Sequence, residues 1–496
     1  MLISIQNILG GQLSAISSQH LEIELPLSKS ESNRALMIMH YAEFQNLKTS
    51  ELQNQSNSAT QQLSNLVSLS NSDDTVLLQK HLNTLSGYVK NPSTLPLTLD
   101  CRNAGTVFRF LMTAVVNQCI MHNAQFIIDV ELSLKQLSNS ATQQLSVLLT
   151  GSERMKSRPI SSLVEALRSL GISIEYTENE GYPPVLLTVN AVNRQQTLST
   201  TLHPTLSTLN SLEISAEQSS QFASSLLLAA PLWKNGLVLH LTGNLSSLPY
   251  IDMTINMMRQ CGIDVSRDDR DITVKHGIYN IDNIKVEPDW SAAAFWYEMV
   301  SLSDGAEVLL KNLNINSLQA DATAIKMFEN LGVETIAAKD GVVVKKVNSQ
   351  QSMANSQSST FNFQLSTFNF KDCPDLFPAV IVACAGNRVN ATFRGLKNLS
   401  IKESDRKQAM MNELMKINIT FENVSDDELK MICPEVLPCF TEENPIIFNN
   451  YEDHRIAMAL SVLTMKIGTI SMENVEVVSK SYPEFFRLQD YKSISR

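Results

Sequence analysis

The stretch "LPLSKSESNRALMIMHYA", residues 25–42, joins a short apolar strand pattern to an apolar helical pattern, and it places Lys29 and Arg34 at the junction. A strand that runs directly into a helix is the repeating step of an α/β fold. The N-terminus of a helix carries the positive end of the backbone dipole and unpaired N–H donors, so cations are disfavoured there. The two cations therefore predict that an anion lies between them.

The same alternation continues along the chain and predicts an α/β fold. Two helical patterns, 161–171 and 321–332, end in Leu-Gly and are followed by a short strand pattern, which suggests an internally repeated unit with Gly at the helix end. The predicted strands in these regions are "FIIDVEL" at 126–132, "ISIEY" at 172–176 and "VETIAAK" at 333–339.

Length and charge limit the possible classes of protein. A chain of 496 residues predicts two domains, and 39 basic against 50 acidic residues give a net charge of -11. That balance argues against a nucleic-acid surface or an anionic membrane partner. The seven cysteines have no metal-site spacing, no stretch resembles a signal peptide, and no apolar run reaches about 18 residues. We expect a cytoplasmic protein with free thiols.

Four tracts rich in Ser, Thr, Asn and Gln interrupt the alternation, near 50–74, 136–147, 194–212 and 348–369. The nine residues "SNSATQQLS" occur in two of them, at 56–64 and 138–146. Low charge and the lack of an apolar period predict inserted surface loops.

Cations return at other predicted helix starts. A single such residue is usually a solvated surface cation, but repeated cations at helix starts cost about 0.3–1 kcal/mol each unless an anion offsets them. We therefore predict one site for a strongly anionic small molecule that carries phosphate and carboxylate groups. The recurring cations are Arg154, Lys156 and Arg158, then Lys402 and Arg406, then His454 and Arg455, and finally Lys480 in a short loop.

Neutral groups and carboxylates complete the candidate site. Asn103, Gly105 and Thr106 precede a helical pattern, as do Ser219, Ser220 and Gln221, although Ser219 could be a simple N-cap. Asp375 and Glu403 lie near the cations and are candidate acids or bases, whereas a lone Asp such as Asp372 before Pro is more often a turn former. No metal-ligand spacing, phosphate loop or nucleophile elbow is present. The residues alone indicate a metal-free transferase acting on anionic metabolites.

Several motifs resemble those of the 5-enolpyruvylshikimate-3-phosphate synthases, in the order in which that family carries them. "LPLSKSESNRAL" resembles LPGSKSxSNRAL, "RNAGTVFRFL" resembles GNAGTxxRxL, and "LTGSERMKSRPI" resembles TGDxRMxxRPI. "IKESDR" and "EDHRIAM" resemble KExDR and DHRxAM. Departures occur at Leu27, Arg102 and Pro288, each of which stands where the family has glycine.

The resemblance implies the two-domain enolpyruvyl transferase fold, in which each domain consists of three βαβαββ units around a pseudo-threefold axis and the active site is the interdomain cleft. By this analogy the domains are 27–286 and 1–26 plus 287–496. It also implies a reaction in which the 5-hydroxyl of shikimate 3-phosphate attacks C2 of phosphoenolpyruvate, C3 takes a proton, and phosphate leaves. No cofactor or metal is implied, and we expect a monomer with no nucleic-acid or membrane partner.

The resemblance assigns roles to residues position by position. Asp375 would be the base for the 5-hydroxyl, Glu403 would exchange the C3 proton, and Lys29 and His454 would assist with charge. Contacts to shikimate 3-phosphate would come from Lys29, Ser30, Arg34, Ser219, Ser220, Gln221, Ser247, Tyr250, Asp375, Asn398 and Lys402. Contacts to phosphoenolpyruvate would come from Lys29, Asn103, Gly105, Arg154, Gln221, Arg406, Arg455 and Lys480.

Two alternatives remain at this stage. The UDP-N-acetylglucosamine enolpyruvyl transferases share the fold and reaction, but "SKSESNR" and "KESDR" argue against them, as does the lack of an Arg-Cys loop motif. A phosphometabolite-binding module without catalysis would require the loss of Lys29, Asp375 or Glu403, and all three are present.

Overall fold

The computed structural model describes residues 3–4, 20–51, 67–91, 93, 95–132, 145–170, 172–189, 211–217, 219–245, 247–347 and 366–486. The chain divides into two compact units. The first unit comprises Met1–Lys29, Ser70–Asp73 and Glu287–Arg496, and the second unit comprises Ser30–Leu69 and Asp74–Val286.

Four-stranded sheets of one repeated topology make up most of both units. In three of them, the first two strands are parallel and joined by a helix, and the last two form an antiparallel pair, so the chain order is βαβαββ. In the fourth, His20–Glu24 and Glu307–Lys311 are parallel, but the whole second unit lies between them in the chain. In spatial order, the sheets of the second unit are Leu97–Asp100, Leu145–Thr150, Val185–Val189, Ser173–Tyr176, and Ser211–Ser215, Leu237–Thr242, Asp271–Val274, Val265–Asp268. Those of the first unit are Val333–Ala338, Gly341–Lys346, Glu307–Lys311, His20–Glu24, and Ser366–Asn369, Ala391–Arg394, Glu428–Ile432, Thr420–Asn423.

A smaller sheet in the first unit joins the two ends of the chain. Ile3–Ser4 pairs antiparallel with Ile470–Met472, which pairs parallel with Ile446–Phe448. His20–Glu24 likewise pairs with Glu307–Lys311. The first strands of the chain thus belong to the same unit as its last 200 or so residues, an arrangement compatible with sequence-distant strands forming one sheet.

Both units contain helices that connect the strands. The helices of the second unit are Lys29–Glu51, which lies in this unit from Ser30 onwards, and Asp73–Lys90, Gly105–Leu132, Glu153–Lys156, Ser161–Ser169, Ser220–Ala229 and Leu248–Gln260. Those of the first unit are Trp290–Leu302, Ala324–Glu329, Phe377–Gly386, Arg406–Met415, His454–Val462 and Thr464–Ile467. Five 3-10 helices occur in the described residues, at Ala230–Leu232, Ala320–Thr323, Pro374–Leu376, Lys397–Ile401 and Val475–Lys480.

The core of the first unit is formed by three helices that contact one another. Trp290–Leu302, Phe377–Gly386 and His454–Val462 bury nearly every side chain, because their sequences are apolar on all sides instead of along one stripe. In the second unit, Ser220–Ala229 is equally buried. A helix buried on all sides can expose polar groups only at its ends, so its N-terminus is where a site can form.

The structure corrects two sequence predictions about local structure. "FIIDVEL" at 126–132 is part of helix Gly105–Leu132 and not a strand. Extending a formed helix is easier than nucleating new structure, so the β-branched run is overridden. Lys480 ends the 3-10 helix Val475–Lys480 and does not lie in a loop.

The polar tracts are shorter than predicted. Leu145–Thr150, Ser211–Ser215 and Ser366–Asn369 are strands, and Asp73–Lys90 is a helix, so each tract runs into regular structure at its C-terminal end. In Leu145–Thr150 buried and half-buried positions alternate, a strand period that the polar composition conceals. The parts of the tracts at 52–66, 136–144, 194–210 and 348–365 lie outside the described residues.

Gly332 has the left-handed conformation expected of a glycine after a helix, with φ of +76°, but it lies three residues after Glu329, and Asn330 is the C-cap of helix Ala324–Glu329. Gly171, the other predicted helix-end glycine, lies outside the described residues. Within the described residues, no helix is both long and apolar enough to cross a membrane.

Candidate active site

Many of the predicted site residues lie at or near the N-terminal ends of helices. Ser30 and Arg34 lie in the first turns of Lys29–Glu51, Gly105 begins Gly105–Leu132, and Ser219 caps Ser220–Ala229. The predicted residues in the first unit are Lys29, Asp375, Asn398, Lys402, Glu403, Arg406, His454, Arg455 and Lys480. Those in the second unit are Ser30, Arg34, Asn103, Gly105, Arg154, Ser219, Ser220, Gln221, Ser247 and Tyr250.

Arg406 is the centre of a buried ionic network in the first unit. Its side chain is 1% exposed, and it donates from Nη1 to Asp375 at 2.6 Å, from Nη2 to Glu403 at 2.9 Å and from Nε to Asp453 at 2.8 Å. Since Asp453 also caps helix His454–Val462, the network is fixed to the start of that helix. The two candidate proton-transfer groups, Asp375 and Glu403, are therefore held on one guanidinium.

Asp375 is surrounded by further cations. Arg455 donates from Nη2 to its Oδ2 at 2.9 Å, and Lys402 Nζ lies 3.6 Å from Oδ1. Burial by itself would raise the pKa of Asp375, but Arg455, Lys402 and Arg406 together hold the pKa well below its usual range. In the unliganded protein Asp375 is an ionised carboxylate of low basicity.

Glu403 has a second cation beside it. Lys480 Nζ lies 3.6 Å from Glu403 Oε1, and Glu403 Oε2 accepts the bond from Arg406. The Glu403 side chain is only 13% exposed, so few waters compete with these two partners. A carboxylate in this position faces a cation that an anionic ligand could attract away from it.

His454 is completely buried, and its two ring nitrogens have no hydrogen-bond partner among the residues that the structure describes. Burial lowers the pKa of His454 well below its usual range, and Lys29 and Arg455 lower it further. The imidazole is therefore neutral at pH 7, so it can offer an N–H or a lone pair but no positive charge.

Arg34, in the second unit, is held by neutral groups. It is 2% exposed and donates to Thr254 Oγ1 at 2.7 Å, the Ser30 carbonyl at 2.8 Å, the Tyr250 carbonyl at 3.1 Å and Ser224 Oγ at 3.3 Å. The bonds to Thr254 and Tyr250 join the start of helix Lys29–Glu51 to helix Leu248–Gln260, and the bond to Ser224 joins it to helix Ser220–Ala229. This arrangement orients Ser30 and Tyr250, two of the predicted substrate contacts.

Gln221 is oriented on both sides of its amide. Its Nε2 donates to Thr106 Oγ1 at 2.7 Å, and its Oε1 accepts from Arg109 Nη1 at 2.5 Å. Ser219 Oγ accepts from the Gln221 backbone N–H at 3.2 Å, which confirms the N-cap that the sequence left open for Ser219. The start of Ser220–Ala229 is thereby tied to the start of Gly105–Leu132.

Two loops at the carboxyl ends of parallel strands place Asn103, Gly105 and Arg154. The Cys101 backbone N–H donates to the Thr150 carbonyl at 2.9 Å, and the Ser152 N–H donates to the Arg102 carbonyl at 2.9 Å. These bonds hold the loop after Leu97–Asp100 against the loop after Leu145–Thr150. The carboxyl end of a parallel sheet is where open α/β folds bind ligands.

The three departures from the family motifs have clear local structures. Arg102 has φ of +50°, a left-handed conformation that explains why glycine is the usual residue there. Leu27 and Pro288 form an antiparallel bridge with each other. Its hydrogen bonds come from the Ser28 and Asp289 backbone N–H groups, so the missing N–H of proline is not needed.

The remaining predicted residues occupy turns and helix ends. Ser247 precedes helix Leu248–Gln260 in a left-handed conformation with φ of +57°, Asn398 lies in the 3-10 helix Lys397–Ile401, and Lys402 follows it. Sequence reasoning missed Arg109 and Asp453, which orient Gln221 and Arg406. Both lie inside the quoted motifs, as the second Arg of "RNAGTVFRFL" and the Asp of "EDHRIAM", and a position in a motif is the only signal that could have found them.

Comparisons with known proteins agree over nearly the whole chain. Residues 13–488 match the family EPSP synthase (3-phosphoshikimate 1-carboxyvinyltransferase). A 3-phosphoshikimate 1-carboxyvinyltransferase of Bacteroides fragilis is 32% identical over 96% of this chain and 95% of the relative. One of Shewanella baltica is 28% identical over 94% and 95%. The fold is similar to that of EPSP synthase from Acinetobacter baumannii, with a TM-score of 0.60, 19% identity, and coverage of 95% of this chain and 96% of that one.

These matches agree with the motifs, the repeated βαβαββ topology and the network around Arg406. The chain belongs to the EPSP synthase family, the 3-phosphoshikimate 1-carboxyvinyltransferases, which transfer the enolpyruvyl group of phosphoenolpyruvate to shikimate 3-phosphate in the shikimate pathway of aromatic amino-acid biosynthesis.

Proposed function

We propose that Asp375 and Glu403 carry out the two proton transfers of this reaction, and that the cations around them bind the substrate anions. The observation that carries the proposal is the Arg406 guanidinium, which holds Asp375 at 2.6 Å and Glu403 at 2.9 Å. A shared rigid partner fixes the spacing of the two carboxylates, which positioned acid–base catalysis requires. We also propose that the domains expected at 27–286 and at 1–26 plus 287–496 correspond to the two compact units, whose bounds differ from them at 27–29 and 70–73.

Asp375 is the base for the 5-hydroxyl of shikimate 3-phosphate. Its low pKa is imposed mainly by Arg455, Lys402 and Arg406 once burial is counted. When the phosphate and carboxylate groups of the substrates bind these cations, less positive charge acts on Asp375 and its pKa rises toward a useful value. Substrate binding would thus increase the basicity of Asp375 only when there is a hydroxyl to deprotonate.

Glu403 delivers the proton to C3 of phosphoenolpyruvate and removes it on reversal. Lys480, 3.6 Å from Glu403, is proposed to turn to the phosphoenolpyruvate anion, which would raise the proton affinity of Glu403. His454 takes part as a neutral imidazole, in keeping with its lowered pKa, and Lys29 supplies the positive charge at the reacting centre.

The other roles follow the expectations from the motifs. Shikimate 3-phosphate is held by Lys29, Ser30, Arg34, Ser219, Ser220, Gln221, Ser247, Tyr250, Asp375, Asn398 and Lys402. Phosphoenolpyruvate is held by Lys29, Asn103, Gly105, Arg154, Gln221, Arg406, Arg455 and Lys480. Arg34 contributes mainly by orienting Ser30 and Tyr250, since four of its hydrogen bonds go to the protein. We further propose a monomer that acts in the cytoplasm.

Isotope exchange tests the role of Glu403. In deuterium oxide with both substrates, Glu403→Gln should incorporate deuterium into the C3 methylene of phosphoenolpyruvate about 10²- to 10⁴-fold more slowly than wild type. Phosphate release should require shikimate 3-phosphate and should not occur with UDP-N-acetylglucosamine as the acceptor. Exchange at the wild-type rate in Glu403→Gln would contradict the assignment.

A further inference from the structure

Arg158 is a buried cation in the second unit that the proposed function does not use. Its side chain is 5% exposed, and its Nε and Nη1 have no hydrogen-bond partner among the described residues. A buried guanidinium with two unpaired nitrogens is unfavourable, and arginines that support a fold are normally paired. A buried arginine with these two nitrogens unpaired indicates that its partner is a bound molecule and not a protein group.

The guanidinium lies against the first residue of the long helix Gly105–Leu132. A Cβ atom placed on Gly105 would be 2.7 Å from Arg158 Nη1 and 2.8 Å from Cζ and Nη2. Glycine therefore allows the planar group to pack onto the first turn of the helix. The backbone N–H groups of that turn and the positive end of the helix dipole lie beside a fixed positive charge, and this combination favours an anionic group such as a phosphate.

We propose that Arg158, together with the first turn of Gly105–Leu132, binds the phosphate of a substrate, and that this substrate is phosphoenolpyruvate. The inference rests on the proposed function, because Asn103, Gly105 and Arg154 are the residues there assigned to phosphoenolpyruvate. Arg158 is then a further binding residue, and Gly105 is required to keep its guanidinium in place.

Arg168 provides a matched control on the next helix, Ser161–Ser169. It donates to the Ile174 carbonyl from Nε at 3.0 Å and from Nη2 at 2.6 Å, and its guanidinium lies over the Tyr176 ring. Arg168 is a paired, structural arginine. Its replacement by Met should lower the melting temperature and leave the KM for phosphoenolpyruvate unchanged.

The test combines stability with kinetics in the full-length enzyme. Arg158→Met should leave the melting temperature of the unliganded protein equal or higher, because an unpaired buried charge is removed. It should raise the KM for phosphoenolpyruvate about 10- to 100-fold, the range expected for losing a charge-assisted hydrogen bond, with little change in the KM for shikimate 3-phosphate. Thermal stabilisation of the free enzyme by inorganic phosphate should also be lost.

A second pair of variants tests the contact with Gly105. Gly105→Ala should raise the KM for phosphoenolpyruvate in wild type and have a much smaller effect in the Arg158→Met background, because the displaced guanidinium is then absent. Arg158→Lys, which keeps the charge but not the fork, should be intermediate and is the variant to use if Arg158→Met does not fold.

The possible results separate the proposals. A lowered melting temperature with unchanged KM values would make Arg158 structural and overturn the inference, as would additive effects of the two substitutions. A selective rise in the KM for shikimate 3-phosphate would assign the site to the other phosphate and overturn the choice of phosphoenolpyruvate. A wild-type enzyme that failed to release phosphate from the two substrates would instead contradict the proposed function.

Discussion

Arg406 in the first unit and Arg34 in the second are both almost fully buried, but their partners differ in kind. Arg406 meets three carboxylates, whereas Arg34 meets two hydroxyls and two backbone carbonyls. Burial lowers the pKa of Arg34 to about 10. Burial would also lower the pKa of Arg406, but Asp453, Glu403 and Asp375 raise it well above its usual range.

The difference indicates two ways in which a buried arginine can be held near the start of a helix, by charged partners or by neutral ones. In the Arg406 network the positive charges offset the negative charges of the carboxylates. The pKa of each carboxylate therefore depends on whether its neighbouring cations also bind other anions. The bonds of Arg34 form a neutral framework that fixes backbone positions and does not change with ligand charge. We therefore expect proton transfer in the first unit and positioning in the second.

Removal of Arg406 should produce the largest loss of stability. Arg406→Met leaves Asp453, which is completely buried, without its cation, and breaking a buried ionic network in this way costs about 3–5 kcal/mol of unfolding free energy. Chemical denaturation of the variant measures the loss. The double variant Arg406→Met/Asp453→Asn should recover part of it, and a loss below about 1 kcal/mol in the single variant would contradict the charge-balance account.

Removal of Arg34 should cost less. Arg34→Met leaves only neutral acceptors, at a cost of about 1–3 kcal/mol. Thr254 Oγ1 lies 2.9 Å from both the Tyr250 carbonyl oxygen and Ser224 Oγ and can donate its one hydrogen to either, so the remaining groups can satisfy one another in part. Denaturation under the same conditions compares the two variants. A loss of unfolding free energy as large as that of Arg406→Met would mean that Arg34 also balances a charged group and would contradict the comparison.

Glu298 extends the comparison, because it is a carboxyl group in the first unit without a cation. It is completely buried on helix Trp290–Leu302, and both of its oxygens lack hydrogen-bond partners within the described part of the chain. Burial raises the pKa of Glu298 well above the usual range. The unfolded chain therefore loses the Glu298 proton first as pH rises. Stability due to this group is complete below the unfolded pKa of about 4.3 and declines by up to about 1.4 kcal/mol per pH unit until the folded pKa is passed.

Glu298→Met should remove that decline. The variant should be more stable than wild type at pH 7 and should show a flatter dependence of unfolding free energy on pH between about 5 and 7. Denaturation curves at several pH values measure the slopes. Equal slopes in the two proteins would mean that Glu298 is ionised in the folded state.

The smallest effect is expected at Arg102. Its left-handed φ of +50° is unfavourable for a residue with a Cβ, so Arg102→Gly should stabilise the protein by roughly 0.5–1 kcal/mol after the greater entropy of glycine in the unfolded chain is subtracted. Arg102→Ala is the control and should give no such gain. Thermal melting distinguishes the two variants, and an equal gain from alanine would assign the effect to the arginine side chain.

The sequence predicted the α/β class and the helix starts because these depend on local patterns. The prediction that cations at helix starts require an external anion was too simple for Arg406, whose charge is balanced by Asp375, Glu403 and Asp453. Asp453 is more than 40 positions away in the chain, and local pattern gives no information about such a contact. Arg158 was identified as one of a group of cations, but its missing partner could be recognised only from the structure.

Two predictions of local structure were wrong because amino-acid composition alone does not determine whether a segment is helix, strand or loop. The apolar run 126–132 continues a helix that began at Gly105, and the polar residues of Ser211–Ser215 form a strand with alternating buried and exposed positions. Both outcomes depend on the rest of the unit, through the helix already formed in one case and the neighbouring strand Leu237–Thr242 in the other.

The most direct test of the central claim compares Asp375→Asn with Asp372→Asn. Asp372 is exposed and three residues away, whereas Asp375 accepts from Arg406 and Arg455. Asp375→Asn keeps the shape but removes the base, so kcat should fall about 10²- to 10⁴-fold while shikimate 3-phosphate still binds. Asp372→Asn should change kcat little. A crippled Asp372→Asn enzyme and a nearly normal Asp375→Asn enzyme would contradict the assignment of Asp375 as the base.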